Sequence, residues 1–333
     1  VAAMLPGIGV TINGATRWVG AGPVQFQPSE LLKVALVLYG AQLLAARPKR
    51  ILTLGGLCKP FLLVVGAACL LLLKQPDMGT ALVICFATFS LLIASGARMR
   101  HLGIIVGALV LIVTIMALIE PYRRARLLSF VDPWSDARGD GFQSVQAMIA
   151  MGSGGVFGRG LGESVQKIFY LPEAHTDMIL AVVGEELGVL GVSALAALYG
   201  MIGYAGFRAA KAARERYAKL LAAGVTSLIL AQAVLNFFAV MGLAPLTGVP
   251  LPFVSYGNSN LIVLLGAMGL VLGIAKRSGQ AQAVGDERRG GRGLRAVEGG
   301  GSRDERAAAR ADRSRRHGGT RRAGARDSRR AAR

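Results

Sequence analysis

Long apolar stretches alternate along this chain with short polar, cation-rich ones, and the spacing predicts helices that cross a bilayer. A span needs about 20 apolar residues at 1.5 Å rise each. Met78–Ala97, Leu102–Ile119 and Leu187–Phe207 carry no charge. Leu220–Ala275 is uncharged over 56 residues and is interrupted only around Pro245, Pro250 and Pro252, so it reads as two spans joined by a turn. Spans are expected at about 31–46, 51–73, 78–97, 102–119, 178–207, 219–243 and 255–275. A backbone in lipid must satisfy its own hydrogen bonds, which makes the fold class all-α, a polytopic membrane helical bundle with seven full spans. Val1–Val10 is apolar but too short to span, and reads as the last half of a helix that starts upstream.

Composition agrees. The 333 residues are 53% hydrophobic, with a mean hydropathy of +0.49, too apolar for an ordinary soluble domain. The net charge of +19 is unevenly placed. Residues 276–333 hold 18 Lys/Arg against 7 Asp/Glu and few large apolar residues, so they are expected to form a disordered basic tail behind a membrane domain at 1–275. Such a tail reads as an anchor beside anionic membrane lipids. Nucleic acid is not expected as a partner, because no folded nucleic-acid module accompanies it. Cys58, Cys69 and Cys85 lie in or beside apolar spans and read as small buried hydrophobes, with no disulfide framework and no metal site.

Cation clusters set the orientation. Arg47, Lys49 and Arg50; Arg98 and Arg100; Arg208, Lys211, Arg214, Arg216 and Lys219; and the tail all fall on one side if the spans alternate. The positive-inside rule makes that side the cytoplasm, with the tail in it. The long segment 120–177 then lies outside, where a connection of that length is functional rather than structureless. Its "DGFQSVQAMIAMGSGG" suits a short amphipathic helix in the interface. Its "GSGGVFGRGLG" lacks the GK[ST] ending of a phosphate loop and reads as a close-packed turn. Arg123, Arg124 and Arg126 oppose the charge rule: they are a local exception or a guanidinium cradle for a pyrophosphate headgroup.

Several charged residues stand at the outer ends of the spans. Asp177 sits where the outer segment meets a span, as a general base able to take a proton from a sugar or lipid hydroxyl, as a helix cap at Thr176 or Asp177, or as both. Glu185 and Glu186 read as intramembrane carboxylates two turns deeper, either functional or structural, on a face that Gly184 and Gly188 let pack tightly. Glu30 and Lys33, three residues apart, share a helix face as an ion pair, or Lys33 neutralises substrate phosphate. Arg17 and Trp18 suit the outer interface. His175 has no partner at metal-ligand spacing and reads as a hydrogen-bonding loop residue. Neither a Ser–His–Asp nucleophile elbow nor an ATP-binding motif is present, which argues against an ATP-driven pump.

The stretches "NGATRWVGAGPVQFQPSELLK", "QPDMGTA", "PYRRARLLSFVDPW", "GLGESVQKIFYLPEAHTDMILAVVGEELG" and "PLTGVPLPFVSYGNSN" together resemble the FtsW/RodA/SpoVE (SEDS) proteins of bacterial cell-wall synthesis, over roughly residues 10–275. The run "VQKIFYLPEAHTD" followed by "VVGEELG" is more similar to the division branch of the family than to the elongation branch. Family members have ten transmembrane helices, so against the family about two and a half N-terminal helices are absent from this sequence. It implies a peptidoglycan glycosyltransferase that polymerises lipid II at the outer face of the plasma membrane, at the septum, with a class B penicillin-binding protein and other division proteins as partners. It makes Asp177 the base that activates the attacking hydroxyl. It places Glu30, Lys33, Arg17, Arg123, Arg126 and His175 around the substrate, and Ser255 and Gly257 as structural positions. A divalent cation, magnesium or manganese, is compatible with stabilising the pyrophosphate leaving group. One departure stands out: the family's "SYGGSS" is "SYGNSN" here, with Asn258 and Asn260.

Two other functions fit the same cavity. A lipid II flippase would need polar groups along the whole transmembrane path, and the inner halves of the spans are nearly free of charge. An inactive division scaffold is the third reading.

Overall fold

The computed structural model describes residues 9–12, 15–21, 24–48, 53–119, 129–139, 141–169 and 171–280. Its principal helices are α1 (Pro28–Ala46), α2 (Leu54–Lys74), α3 (Met78–Ser95), α4 (Met99–Ile119), α5 (Phe142–Ser153), α6 (Ile179–Ala212), α7 (Arg216–Val240) and α8 (Asn258–Gln280). Six of the seven expected spans are helices long and apolar enough to cross a membrane, and the remaining one, α4, is apolar over Met99–Ile112. This is a multi-pass membrane protein. The last helix reaches Gln280, so residues 276–280, read in the sequence as tail, are helical; residues 281–333 lie outside the described ones.

Local chemistry sets the helix ends. Pro28 occupies the first turn of α1, where a missing N–H is harmless, and Glu30 follows it at the positive end of the helix dipole. Thr53 caps α2 through Gly56 N (3.3 Å), and the helix is interrupted at Lys59, ahead of Pro60. Asp77 caps α3, its Oδ1 accepting from Thr80 N at 3.2 Å. Gly96, at φ +87°, ends α3 in the left-handed conformation.

The N-terminal residues differ from expectation. Gly9–Ile12 is a strand (β1) rather than the end of a helix, paired antiparallel with β2 (Ala15–Ala21), which pairs in turn with β3 (Val24–Phe26). The physical reason is in the sequence. Val, Thr, Ile and Trp favour a pleated surface, and Asn13-Gly14 between the first two runs is a strong hairpin signal.

Helix α7 is the centre of the bundle. Its most apolar window is 72% buried, against at most 50% in any other span. It packs on α1, α3 and α6, and small residues let the helices approach. Gly224 of α7 meets Val37 and Leu91, Gly203 of α6 meets Leu230, and Gly206 meets Thr226. The helix starts and ends sort by side. Gln27 N donates to Ser259 Oγ (3.1 Å), joining the starts of α1 and α8. Gly79 at the start of α3 abuts the carbonyl of Thr247. Arg17 Nε on β2 donates to Gln75 O (3.0 Å) in the α2–α3 turn. At the other end, Arg216 donates to Ser95 O (3.1 Å). The ends that carry the conspicuous cation clusters are therefore opposite the end that carries Arg17, Glu30 and Asp77.

Helix α6 is 34 residues long, more than a bilayer needs, and it is broken at Gly188 (φ 66°, ψ −163°). The part from Gly188 to Ala212 is about 37 Å long and spans alone. Glu185 and Glu186 sit just before that break. The break is filled by the glycine-rich loop after α5. Arg159 N and Gly160 N donate to the carbonyls of Glu185 and Glu186 (3.0 Å each), while Val189 N and Leu190 N donate to Gly155 O and Val156 O (3.0 and 3.2 Å). A Cβ on Gly188 would lie 2.5 Å from Gly158 N and Val156 O. Gly188→Ala combines that clash with a positive φ. It is expected to destabilise the protein by about 2–4 kcal/mol, read as a lowered Tm in detergent.

Candidate functional site

Asp177 ends a tight loop. Glu173, in the left-handed region at φ +55°, turns the chain, and its carbonyl accepts from Thr176 N (3.1 Å) and Met178 N (3.3 Å). The N-cap position of α6 falls on Met178, so Asp177 immediately precedes the helix. Asp177 is half-buried, with Thr176 Oγ1 3.3 Å from its Oδ1. Gly248 approaches its Oδ2, and at φ +65° the Thr247–Val249 segment turns beside it.

Two further segments close around this loop. His175 is exposed; its carbonyl accepts from Tyr256 N (2.9 Å), and its ring meets the Tyr256 ring edge-on at 6.0 Å. Ser255 Oγ accepts from Leu251 N (2.7 Å), and Gly257 O receives Leu261 N (2.9 Å) in the first turn of α8. Tyr199 of α6 donates its hydroxyl to Pro252 O. The structure thus brings His175, Asp177, Ser255 and Gly257 into one loop cluster. Asn258 leaves the α8 start helical, and Asn260 is buried at 5% exposure.

Glu30 and Lys33 form the ion pair expected of their spacing, at 2.9 Å, with side chains 3% and 2% exposed. Lys33 faces a cleft lined by Phe61, Ile84, Thr88 and Leu91. Arg17 lies on β2 over the α2–α3 turn. Arg123, Arg124 and Arg126 lie outside the described residues.

Glu185 is a structural hub. Its carboxylate accepts from Ser164 Oγ (2.6 Å), Val165 N and Gln166 N (3.3 Å each), with Arg159 Nη1 at 3.5 Å. Glu186 pairs with Lys167 at 2.6 Å. Replacing Glu185 by Gln removes the charge from these bonds, a loss of about 1.5–3 kcal/mol. The expected result is faster chymotryptic nicking at Phe157, which is 81% exposed at the loop tip.

Sequence reading missed three groups. Ser164, Arg159 and Lys167 anchor the loop to α6, and no spacing announces that. Asp77 caps α3, which Asp-x-x-Thr ahead of an apolar run signals. Gln232 and Asn236, one turn apart on α7, are polar residues within the long uncharged run, 0% and 2% exposed. Buried side-chain atoms with no hydrogen-bond partner include Ser29 Oγ, Asp77 Oδ2, Asn236 Oδ1, Thr247 Oγ1 and Asn260 Oδ1 near helix ends on the Asp177 side, and also both Gln232 amide atoms and His101 Nδ1 away from it. Among the described residues no group of three or more His, Cys, Asp or Glu is placed to hold a metal ion.

Comparison with known proteins fixes the family. The family model FtsW/RodA/SpoVE, described as "Cell cycle protein", matches residues 1–280. The chain belongs to the FtsW/RodA/SpoVE family. A probable peptidoglycan glycosyltransferase FtsW of Geobacter sulfurreducens is 43% identical over 82% of this chain and 73% of that protein. Stage V sporulation protein E of Bacillus subtilis is 38% identical over 84% and 76%. Among solved structures, a chain from a study of how a peptidoglycan synthase complex coordinates polymerization and crosslinking superposes with a TM-score of 0.70, at 33% identity over 83% of this chain and 78% of that one. The rod shape determining protein RodA of Thermus thermophilus gives 0.57 at 31% identity, over 83% and 74%.

Proposed function

We propose that this chain is a peptidoglycan glycosyltransferase that polymerises lipid II into glycan strands at the outer face of the plasma membrane during septal synthesis. The observation that carries the chemistry is Asp177: a half-buried carboxylate at the mouth of the bundle, in the loop that leads into α6. Its relatives' names supply the reaction.

In this mechanism two lipid-linked sugars meet at the Asp177 end. Asp177 takes the proton of the acceptor hydroxyl as that oxygen bonds to the donor's anomeric carbon. The donor's bond to its lipid pyrophosphate breaks, and the leaving group departs with the electron pair. Charge grows on that pyrophosphate, and Lys33 and the arginines Arg17, Arg123 and Arg126 supply positive potential toward it. Lys33 does so from within a buried pair, so Glu30 sets how much of its charge is available. His175 lines the approach. No step is routed through a divalent cation.

The orientation follows from the charge clusters: the Asp177 end faces outward, and the C-terminal segment lies in the cytoplasm. The partner is a class B penicillin-binding protein, in keeping with the synthase complex whose chain this one resembles. The test is polymerisation of purified lipid II in liposomes by this protein with that partner. Glycan product supports the reading. Transport of lipid II without polymer would replace it with a flippase, and neither activity in a folded, partner-bound protein would replace it with a scaffold.

A further inference from the structure

A buried side-chain amide holds Asp177 from below. Asn236 Nδ2 donates to Asp177 O at 2.7 Å and to Val249 O at 2.8 Å. One –NH2 group has two protons, and here each goes to a different loop. The residue is 2% exposed, on α7, the most buried helix of the bundle. Asp177 precedes α6, while Val249 follows Gly248, where an added Cβ would lie 3.7 Å from Asp177 Oδ2. The amide therefore sets the distance between the loop that carries the carboxylate and the loop that walls it.

We propose that Asn236 is a positioning residue for the transfer reaction: its two donated hydrogen bonds fix the Asp177 loop and the Thr247–Val249 loop in the register that aims the carboxylate at the acceptor hydroxyl. The proposal rests on the glycosyltransferase reading. The residue's chemistry is specific. Aspartate in its place has no proton to give and adds an anion facing two carbonyls. Leucine keeps the volume and leaves both carbonyls without their donor. Glutamine is a methylene too long for a fully packed site.

The experiment uses the full chain with its penicillin-binding partner and lipid II, comparing wild type with Asn236→Leu and Asn236→Ala. A displacement of about 1 Å at a reacting group lowers turnover by about 100-fold, so kcat should fall by about that factor. KM for lipid II should stay within about twofold, since the amide does not face substrate. Amide hydrogen exchange in the same samples should rise by at least about tenfold in residues 171–180 and 247–255, with α1 and α3 unchanged as reporters of a folded bundle. A raised KM at unchanged kcat would make Asn236 a substrate contact and overturn the proposal. So would unchanged kinetics, or unchanged exchange in the two loops. If Asn236→Leu does not fold, Asn236→Ala, which overfills nothing, decides. If wild type makes no glycan, the glycosyltransferase reading fails by itself, and exchange alone decides whether the clamp exists.

Discussion

Asp177→Ala is expected to lower glycan synthesis by orders of magnitude while leaving the protein folded and bound to its partner. Loss of a general base lowers turnover by about 10²–10⁴-fold. The fold should tolerate the change. Asp177 is half-buried, and backbone bonds that shape its loop run through Glu173 O and Asn236 Nδ2. The assay is lipid II polymerisation followed by gel separation of glycan, with partner pull-down and a detergent melting curve as controls. Asp177→Asn sharpens the test, because it keeps shape and loses only proton affinity. Glycan made by both variants at the wild-type rate would remove Asp177 from the chemistry.

Lys33→Met produces the largest change in stability. The pair it breaks is 2.9 Å long and almost wholly buried. Removing one member leaves Glu30 charged in a low-dielectric layer, which costs about 3–5 kcal/mol, whereas replacing both members by neutral groups of similar size can be nearly neutral. The expected series is a large fall in Tm for Lys33→Met and recovery of most of it in Glu30→Gln/Lys33→Met. That double variant separates two roles. If Lys33 also supplies positive potential to the leaving pyrophosphate, the refolded double variant stays inactive. Activity returning with stability would make the pair purely structural.

The transmembrane plan was legible because apolar length and cation placement are properties of the sequence itself. The charge clusters at Arg47, Arg98 and Arg208 sort the helix ends, and the structure keeps that sorting. The Glu30–Lys33 pair was legible for the same reason, since three residues on a helix place two side chains on one face. Long-range partners were not. Nothing near Glu185 predicts that it gathers Ser164, Val165 and Gln166, because those bonds depend on a loop returning across 19 to 21 residues. The uncharged run through Gly188 hid the break in α6, since a helix and its interruption there have the same hydropathy. Asn236 was hidden by its neighbours: an amide in an apolar run signals a polar contact but not which carbonyls it meets. The hairpin at β1–β2 was readable from Asn13-Gly14, but the apolar character of the first ten residues pointed to a helix.

The close approach of Gly154, Gly158 and Gly188 to neighbouring main chain has an evolutionary consequence. Side chains that touch can drift together, one shrinking as the other grows. Here main chain meets main chain: a Cβ on Gly154 would strike the backbone of Gly184, and one on Gly158 the backbone of Glu186. No second mutation can make peptide groups smaller. These three positions should therefore resist change one by one and show no covariation with one another, while the exposed loop tip between them, Val156 and Phe157, is free to vary.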